Sequence, residues 1–301
     1  MTIPYLGEFS ALGAAFVWAF ASLVFQRLGV TIAPLRLNLL KGVVSLLAFS
    51  VTIALGRLEA PTIDARTLLM LGGSGAIGIG LGDTAYFKAL NCLGSRRTLL
   101  LVTSATPMTA LLAATTLGET LGAQAAFGIA AIFGGIVWTI VDRAADIPGR
   151  GAWWQGAFWG IVAAAAQAVG AVMSRSVLAE TDFPTLWASM LRIAVGIAPL
   201  LVWESLEFAR HATERQAWRR IVTTPRILTA IALSSLLGTY LAIWLQQTSY
   251  KFAPVGIAQT LTSTSPLFAL PLAAWAGEHV GWRSIFGVVL VLAGVALLFA
   301  R

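Results

Sequence analysis

The sequence predicts an all-α membrane protein in which ten transmembrane helices form two inverted five-helix repeats around a central cavity. The first observation is composition: of 301 residues, 58% are hydrophobic and 11% are charged, whereas soluble domains have roughly 45–50% apolar and about 25% charged residues. The mean hydropathy is +0.83. The other two observations are a set of apolar stretches of membrane-spanning length and a residue pattern that occurs twice.

The repeated pattern is a proline preceded by hydroxyl residues and followed by a Gly-Glu pair. It runs from Ser104 to Glu119 and again from Ser263 to Glu278. One separation of 159 residues relates all the matched pairs, which are Pro107/Pro266, Glu119/Glu278, Phe127/Phe286, Gly128/Gly287 and Gly135/Gly294. A constant separation of this kind indicates an internal duplication.

The membrane spans follow from length, because a helix needs about 20 apolar residues to cross the hydrocarbon core. The predicted spans are 6–28, 33–55, 67–90, 97–117, 123–141, 152–175, 184–206, 227–250, 254–275 and 281–300. The first five form a predicted repeat over residues 1–141, and the last five form a second over residues 152–301. Since each repeat has an odd number of spans, the two copies must cross the membrane in opposite orientations.

Composition also excludes several classes of protein. The formal charge of +7 would suit a nucleic-acid partner, but the apolar spans leave no soluble platform for a basic surface, so the predicted partner is the lipid bilayer. Cys92 is the one cysteine, and both histidines fall in predicted loops. With no HExxH sequence and no cluster of metal ligands, we expect no metal, no cofactor and no enzymatic activity.

The two prolines interrupt apolar helices. Proline removes a backbone donor and frees the carbonyl four residues before it, which is that of Thr103 for Pro107 and of Thr262 for Pro266. Lipid cannot satisfy such a carbonyl. We therefore expect both prolines to bend their helices, to face protein or a polar cavity, and to serve as a symmetric structural or gating pair.

Lys41, Asp83 and Arg192 lie about two turns inside predicted spans, where an ionisable side chain indicates a functional site by default. Lys41 in span two and Asp83 in span three lie at similar depth and are predicted to pair, either to hold the two spans together or to act directly on a substrate or proton. Arg192 in span seven has no carboxylate at the repeat-equivalent position, which is Ala242. It is predicted to meet an anionic ligand group or to snorkel to the interface.

Aromatic and polar residues within the spans complete the predicted binding site. Tyr240, Trp244 and Gln247 share one helix face, and polar groups within spans usually point inward. The predicted substrate-binding residues are Trp18, Asp83, Tyr86, Ser104, Thr106, Gln167, Arg192, Tyr240, Trp244, Gln247, Thr264 and Ser265. Lys41 joins the prolines as a structural or gating residue. Glu119 and Glu278, at span ends, are expected to be solvated or capping carboxylates.

Five spans per copy, with a hydroxyl-Pro in the fourth and Gly-Glu before a glycine-rich fifth, resemble the EamA-type transporters of the drug/metabolite transporter superfamily. The resemblance covers nearly the whole chain, through Thr106-Pro107 to Gly118-Glu119 and Ser265-Pro266 to Gly277-Glu278. It implies ten helices around a central cavity and alternating-access movement of small organic solutes. Lys41 departs from the arginine often found in that span, whereas Arg192 matches its counterpart.

The predicted function is a secondary transporter that exports a small amphipathic or amino-acid-like metabolite. Two alternatives stay open: a phosphorylated or lipid-linked substrate, and a membrane scaffold or receptor that transports nothing. We expect a multi-pass protein of a bacterial inner membrane, as a monomer or weak dimer, with proton or ion coupling open.

The distribution of basic residues and the usual orientation of the family give opposite predictions for the side of the membrane on which the termini lie. The loops on the side of the termini contain five basic residues and the opposite loops contain twelve. The positive-inside rule then places both termini outside the cytoplasm. The family usually has both termini inside.

Overall fold

The computed structural model describes residues 4–119, 122–141, 150–210, 216, 218–219, 221, 223–265, 267–268 and 282–299. Within these ranges all regular secondary structure is helical. The elements in chain order are α1 Leu6–Gly29, α2 Pro34–Gly56, α3 Ala65–Thr67, π1 Leu68–Gly72, α4 Gly73–Gly75, π2 Ala76–Asp83, α5 Thr84–Thr103, α6 Ala105–Thr116, α7 Ala123–Val141, α8 Arg150–Leu178, α9 Thr185–Arg210, α10 Pro225–Ser235, π3 Leu236–Leu241, α11 Ala242–Phe252, α12 Val255–Thr262 and α13 Trp282–Phe299.

Six helices in the described ranges are long and apolar enough to cross a membrane. They are Leu6–Gly29, Pro34–Gly56, Ala65–Leu93, Trp153–Leu178, Thr185–Arg210 and Pro225–Phe252. These correspond to predicted spans one, two, three, six, seven and eight. The all-helical membrane class is therefore confirmed. Predicted span five coincides with α7, predicted span four is shortened to α6, and predicted spans nine and ten extend into residues outside the described ranges.

The boundary predicted between spans three and four is wrong. Sequence analysis placed a loop over residues 91–96, but α5 continues through it as helix to Thr103. That stretch holds no proline and one glycine, Gly94. Arg96 and Arg97 follow this glycine, and arginine is among the better helix formers. The local sequence therefore contains no signal that would end the helix.

Irregular helix recurs at equivalent positions of the two copies. The 159-residue separation carries π2 onto residues 235–242, where π3 occurs at Leu236–Leu241. It also carries Ser104, where α5 ends and α6 begins, onto Ser263, where α12 ends. π-helical turns are uncommon and often lie at functional sites. The duplicated sequence thus reproduces the same two departures from regular helix in each half.

Asn38 of α2 satisfies backbone carbonyls that the π2 segment leaves open. Its Nδ2 donates to the Ile79 carbonyl at 2.8 Å and to Thr84 Oγ1 at 2.9 Å, and the Thr84 hydroxyl in turn donates to the Gly80 carbonyl at 2.7 Å. Because lipid offers no hydrogen bonds, these contacts from a neighbouring helix allow a π segment to persist within a span.

Repeat-equivalent glycines make a reciprocal contact between α7 and α13. A Cβ at Gly135 would lie 2.7 Å from the Gly287 carbonyl oxygen, and a Cβ at Gly294 would lie 2.7 Å from the Gly128 carbonyl oxygen. Since Gly135 corresponds to Gly294 and Gly128 to Gly287, each copy offers the same surface to the other, as in a two-fold interface. The residue numbers rise along one helix and fall along the other, so the two helices run antiparallel.

Replacing Gly135 with Ala is expected to destabilise the protein by about 1–3 kcal/mol, because the new methyl group would overlap the backbone of α13. Gly134→Ala is the matched control: it lies next in the same helix, has no atom within 4 Å of its Cβ position, and should gain up to about 1 kcal/mol of helix propensity. Thermal melting in detergent would compare the variants. Equal melting temperatures for the two would contradict the close crossing.

The expected cavity-facing position of Pro107 is wrong. The buried residues of α6 are Ala105, Thr106, Thr109 and Ala113, and helical periodicity puts Pro107 on the opposite, exposed face. The interruption itself is present at Ser104, whose N–H bonds the Leu101 carbonyl at 3.1 Å. The residues beside the break, rather than the proline ring, therefore face inward. Pro266 lies outside the described residues.

Candidate functional site

Two neighbouring cavities lie among the helices and share Trp18, Asp83 and Gln167. The larger has about 650 Å³ of empty space, including space open to solvent, and is lined by Trp18, Ala19, Ser22, Gly82, Asp83, Tyr86, Val102, Ala163, Gln167, Gln259, Thr262, Ser263 and Ser265. The smaller has about 370 Å³ of such space and is lined by Trp18, Lys41, Gly78, Ile79, Asp83, Gln167, Arg192, Gly238, Ala242, Ile243 and Gln246. The surface of the first is mostly apolar, although polar side chains also line it, and three charged side chains line the second.

Lys41 and Asp83 form the ion pair that their depth in the sequence predicts. The Lys41 ammonium lies 2.5 Å from Asp83 Oδ2, and both side chains are about nine-tenths buried. The ammonium also lies 5.2 Å from the centre of the Phe87 ring and 6.0 Å from that of Phe25, within the range of a cation–π attraction. The pair joins α2 to the end of π2 and places both charges at the smaller cavity.

Arg192 lies inside the helix bundle and does not snorkel to the interface. It is 2% exposed, and its Nε and Nη1 have no hydrogen-bond partner among the described residues. Glycines surround it: a Cβ at Gly78 would lie 3.2 Å from Nη2, and one at Gly170 would lie 3.6 Å from it. The absence of side chains at these two positions leaves room for the guanidinium at the edge of the smaller cavity.

The structure brings seven of the predicted residues to the cavities. Trp18, Asp83 and Gln167 line both, Tyr86 and Ser265 line the larger, and Lys41 and Arg192 line the smaller. The half-buried position of Trp18, in the middle of α1, is consistent with a cavity-lining role rather than with the aromatic belt at a membrane interface.

Tyr240 and Trp244 face the bundle but line neither cavity, contrary to expectation. The Tyr240 hydroxyl lies 2.9 Å from Thr52 Oγ1, and its ring centre lies 4.5 Å from that of Phe49. Trp244 Nε1 donates to Thr185 Oγ1 at 3.2 Å. These aromatic residues join α11 and π3 to α2 and α9, so their contacts are structural.

Gln247 is fully buried, yet both atoms of its amide lack a hydrogen-bond partner among the described residues. The expected inward orientation is therefore correct, although Gln247 does not line either cavity. The hydroxyls of Ser104 and Thr264 bond carbonyls three residues back within their own helices, and Thr106 Oγ1 donates to Ser263 Oγ at 2.9 Å. Thr106 thus links the broken helices of the two copies.

Gln246 and Gln259 are cavity residues that sequence reasoning missed. Gly238, Ala242 and Gln246 recur every four residues and line the smaller cavity. Gln259 lines the larger cavity and accepts a 2.7 Å hydrogen bond from the buried hydroxyl of Tyr250. The general signal for Gln259 was a polar side chain near the middle of an apolar segment.

A polar cluster gathers the helix ends near the start of α1. Glu119 Oε1 accepts from Arg175 Nε at 2.7 Å, and Glu119 Oε2 accepts from the Val255 backbone N–H at 2.8 Å. Arg175 Nη1 donates to the carbonyls of Tyr250 and Lys251 at 2.7 and 2.9 Å. The expected capping role of Glu119 is thus present, but it caps α12 of the other copy and is ion-paired rather than solvated. We call Glu119, Arg175 and the α11–α12 junction the N-terminal latch.

A second buried ion pair lies at the opposite end of the bundle, where α2 begins. Arg36 Nε lies 3.2 Å from Glu204 Oε2, and both side chains are less than one-tenth exposed. Trp218 Nε1 donates to the same carboxylate oxygen at 3.2 Å, and the Arg36 guanidinium lies 5.3 Å from the centre of the Trp218 ring. Ion pairs therefore join helices on both sides of the cavities.

Comparison with known proteins agrees with this arrangement. The EamA-like transporter family matches residues 5–141 and again residues 154–300. No curated protein matches the sequence. A crystal structure described only as that of a protein is 16% identical, with a TM-score of 0.71 over 97% of this chain and 96% of its own chain, which shows a shared fold. Because the two family matches cover nearly the whole sequence, the chain belongs to the EamA-like transporter family and is a multi-pass membrane transporter of the drug/metabolite transporter superfamily.

Proposed function

We propose that the protein is a secondary transporter that exports a small amphipathic or amino-acid-like metabolite by alternating access. The observation that carries the proposal is the pair of neighbouring cavities, one with a mostly apolar surface that includes two aromatic rings and the other lined by three buried charged side chains and two glutamines. Ten helices in two inverted repeats, over residues 1–141 and 152–301, would surround these cavities. We place the protein in a bacterial inner membrane as a monomer or weak dimer, with proton or ion coupling as a property to be measured.

The chemistry of the cavities supports an amphipathic substrate. Ligand sites are usually mostly apolar clefts with a few polar groups that fix orientation, and the larger cavity combines a mostly apolar surface with a few polar side chains. Trp18 and Tyr86 offer aromatic surface to the apolar part of a ligand. Gln167, which lines both cavities, offers an amide donor and acceptor at their boundary.

Alternating access is supported by the ion pairs at the two ends. The N-terminal latch holds α6, α8, α11 and α12 together, while Arg36 and Glu204 hold α2 to α9 at the other end. An alternating-access cycle requires each end to open in turn while the other stays closed. Interactions that break and re-form at the two ends would supply the two closed states.

The specific observation behind an alternative substrate is the charge of the smaller cavity. Lys41 and Arg192 supply two cations there against the single carboxylate of Asp83, which would also suit a phosphorylated or lipid-linked substrate. A non-transporting scaffold or receptor would need neither the buried charges nor the cavities.

Transport of a metabolite panel in proteoliposomes, with and without a proton gradient, tests the proposal. We expect at least one amphipathic solute to move, and Trp18→Ala to reduce its flux about tenfold or more, since each 1.4 kcal/mol of lost binding costs a factor of ten. Trp154→Ala, at a mostly exposed position of α8, is the matched control and should retain flux. Movement of phosphorylated solutes alone would favour the alternative substrate, and no movement of any solute would favour the scaffold.

A further inference from the structure

We propose that Arg192 binds a carboxylate of the transported solute in the smaller cavity, so that the substrate is an organic acid or zwitterion. The inference rests on the proposed function and names the class of substrate for that site. It is carried by three features of the described residues: the burial of Arg192, the charge balance of the cavity lining and the open hydrogen-bond donors that face it.

The burial of Arg192 requires compensation. A guanidinium stays protonated in proteins, and a buried charge without a partner costs several kcal/mol. Arg192 is 2% exposed, and its Nε and Nη1 find no acceptor among the described residues. A structural arginine would be expected to bond carbonyls or a carboxylate, as Arg175 and Arg36 both do. Arg192 therefore differs from the buried arginines that hold helices together.

The described lining of the smaller cavity carries one more positive than negative charge. Asp83 is the single carboxylate among the lining residues, and the Lys41 ammonium lies 2.5 Å from it. The lining thus carries two cations and one anion, a net charge of one positive unit. One monoanionic group would neutralise it, whereas a phosphate dianion would overcompensate. The balance accordingly favours a carboxylate over a phosphate.

Other donors point to an acceptor-rich ligand group. Gln246 lines the same cavity, and its buried Nε2 has no hydrogen-bond partner among the described residues. Arginine matches the planar shape of a carboxylate, whose two oxygens accept several hydrogen bonds at once. With Trp18 lining both cavities, a solute could place its carboxylate at Arg192 and its apolar body beside Trp18 and Tyr86 in the larger cavity.

The test is binding of matched ligand pairs to the full-length protein in lipid nanodiscs. The probes are 3-phenylpropionate, phenylalanine and leucine, each against its amide, together with 2-phenylethylphosphonate. Isothermal titration of wild type, Arg192→Gln and Arg192→Lys supplies the affinities. Arg66→Gln, which removes an exposed arginine that pairs with Glu180, is the matched control for a lost positive charge.

For wild type we expect at least one acid to bind about tenfold or more tightly than its amide, because the amide cannot form the charge-assisted hydrogen bonds that a carboxylate forms with a guanidinium. Arg192→Gln should abolish that ratio while leaving affinity for the amide within about threefold, and Arg66→Gln should preserve it. Arg192→Lys, which keeps the charge but loses the planar fork, should retain part of it and serves if the glutamine variant does not fold.

The inference would be overturned by equal binding of every acid and its amide to wild type, or by an acid-to-amide ratio that Arg192→Gln leaves unchanged. Tighter binding of the phosphonate than of 3-phenylpropionate would also overturn it, because it would assign the site to a dianion. Flux of the same solutes through proteoliposomes separates the two proposals. Acid-selective binding without flux would support the carboxylate site and contradict transport, whereas flux without acid selectivity would do the reverse.

Discussion

Replacing Asp83 with Asn, or Lys41 with Met, is expected to destabilise the protein by about 3–5 kcal/mol, the usual cost of removing one partner of a buried ion pair. The remaining charge would stay at a site where both side chains are about nine-tenths buried. Melting temperature in detergent is the measurement. Because Asp83 lines both cavities, transport should be lost as well.

The charge-swapped double variant, Asp83→Lys with Lys41→Asp, separates pairing from simple damage. The single variants for comparison are Asp83→Lys and Lys41→Asp. The double variant should recover more than half of the stability that each of them loses, since the pair is restored with opposite polarity. Arg66→Gln provides a matched control, because Arg66 and Glu180 form an ion pair whose side chains are 56% and 55% exposed, and such pairs contribute about 0–1 kcal/mol. A double variant no more stable than either single variant would contradict energetic coupling.

Depth along the helices was sufficient to predict the Lys41–Asp83 pair. Charged residues are rare within spans, so few partners were available for either residue. Span two begins and span three ends at the same membrane face, so counting residues from that face shows which charges lie at the same depth. The same reasoning left Arg192 without a carboxylate, and among the described residues its Nε and Nη1 have no partner. The charged residues within the spans are therefore the part of the site that the sequence predicts well.

The cavity-facing side of the eighth span could not be predicted by counting helical turns. Residues 240, 244 and 247 share a face only if the helix has 3.6 residues per turn throughout, but Leu236–Leu241 is π-helical. A π turn has i→i+5 hydrogen bonds and shifts the faces of all later residues relative to earlier ones. Gly238, Ala242 and Gln246 line the cavity instead. No local pattern in the sequence announces such a turn.

The role of Glu119 was underestimated for a different reason. At the end of a span, a carboxylate usually reaches water, and its local sequence contains no partner. Arg175 and the Val255 N–H come from the other half of the chain, so only the packing of the two copies reveals them. Long-range contacts between repeats are the feature of this fold that a local sequence pattern predicts least.

Replacing Glu119 with Ala is expected to open the N-terminal end of the bundle and to destabilise the closed state by about 2–4 kcal/mol. The change leaves the Val255 N–H without its acceptor and Arg175 without its counterion. The Arg175 side chain is only 16% exposed and that of Glu119 only 18%. Unsatisfied groups of this kind cost about 1–3 kcal/mol each. Arg175 would retain its bonds to the Tyr250 and Lys251 carbonyls, which limits the loss.

Accessibility of the larger cavity measures the opening directly. A cysteine at Ser263, which lines that cavity, in a Cys92→Ser background should react faster with a membrane-impermeant maleimide once Glu119 is removed. Reagent added from the N-terminal side should show the increase, and reagent from the opposite side should not, because the Arg36–Glu204 pair remains intact there. Glu180→Ala is the matched control, since it removes an exposed carboxylate near the same end of α8. If Glu119→Ala raises labelling equally from both sides, the variant is loosening the whole bundle, and the latch cannot be a gate for one face.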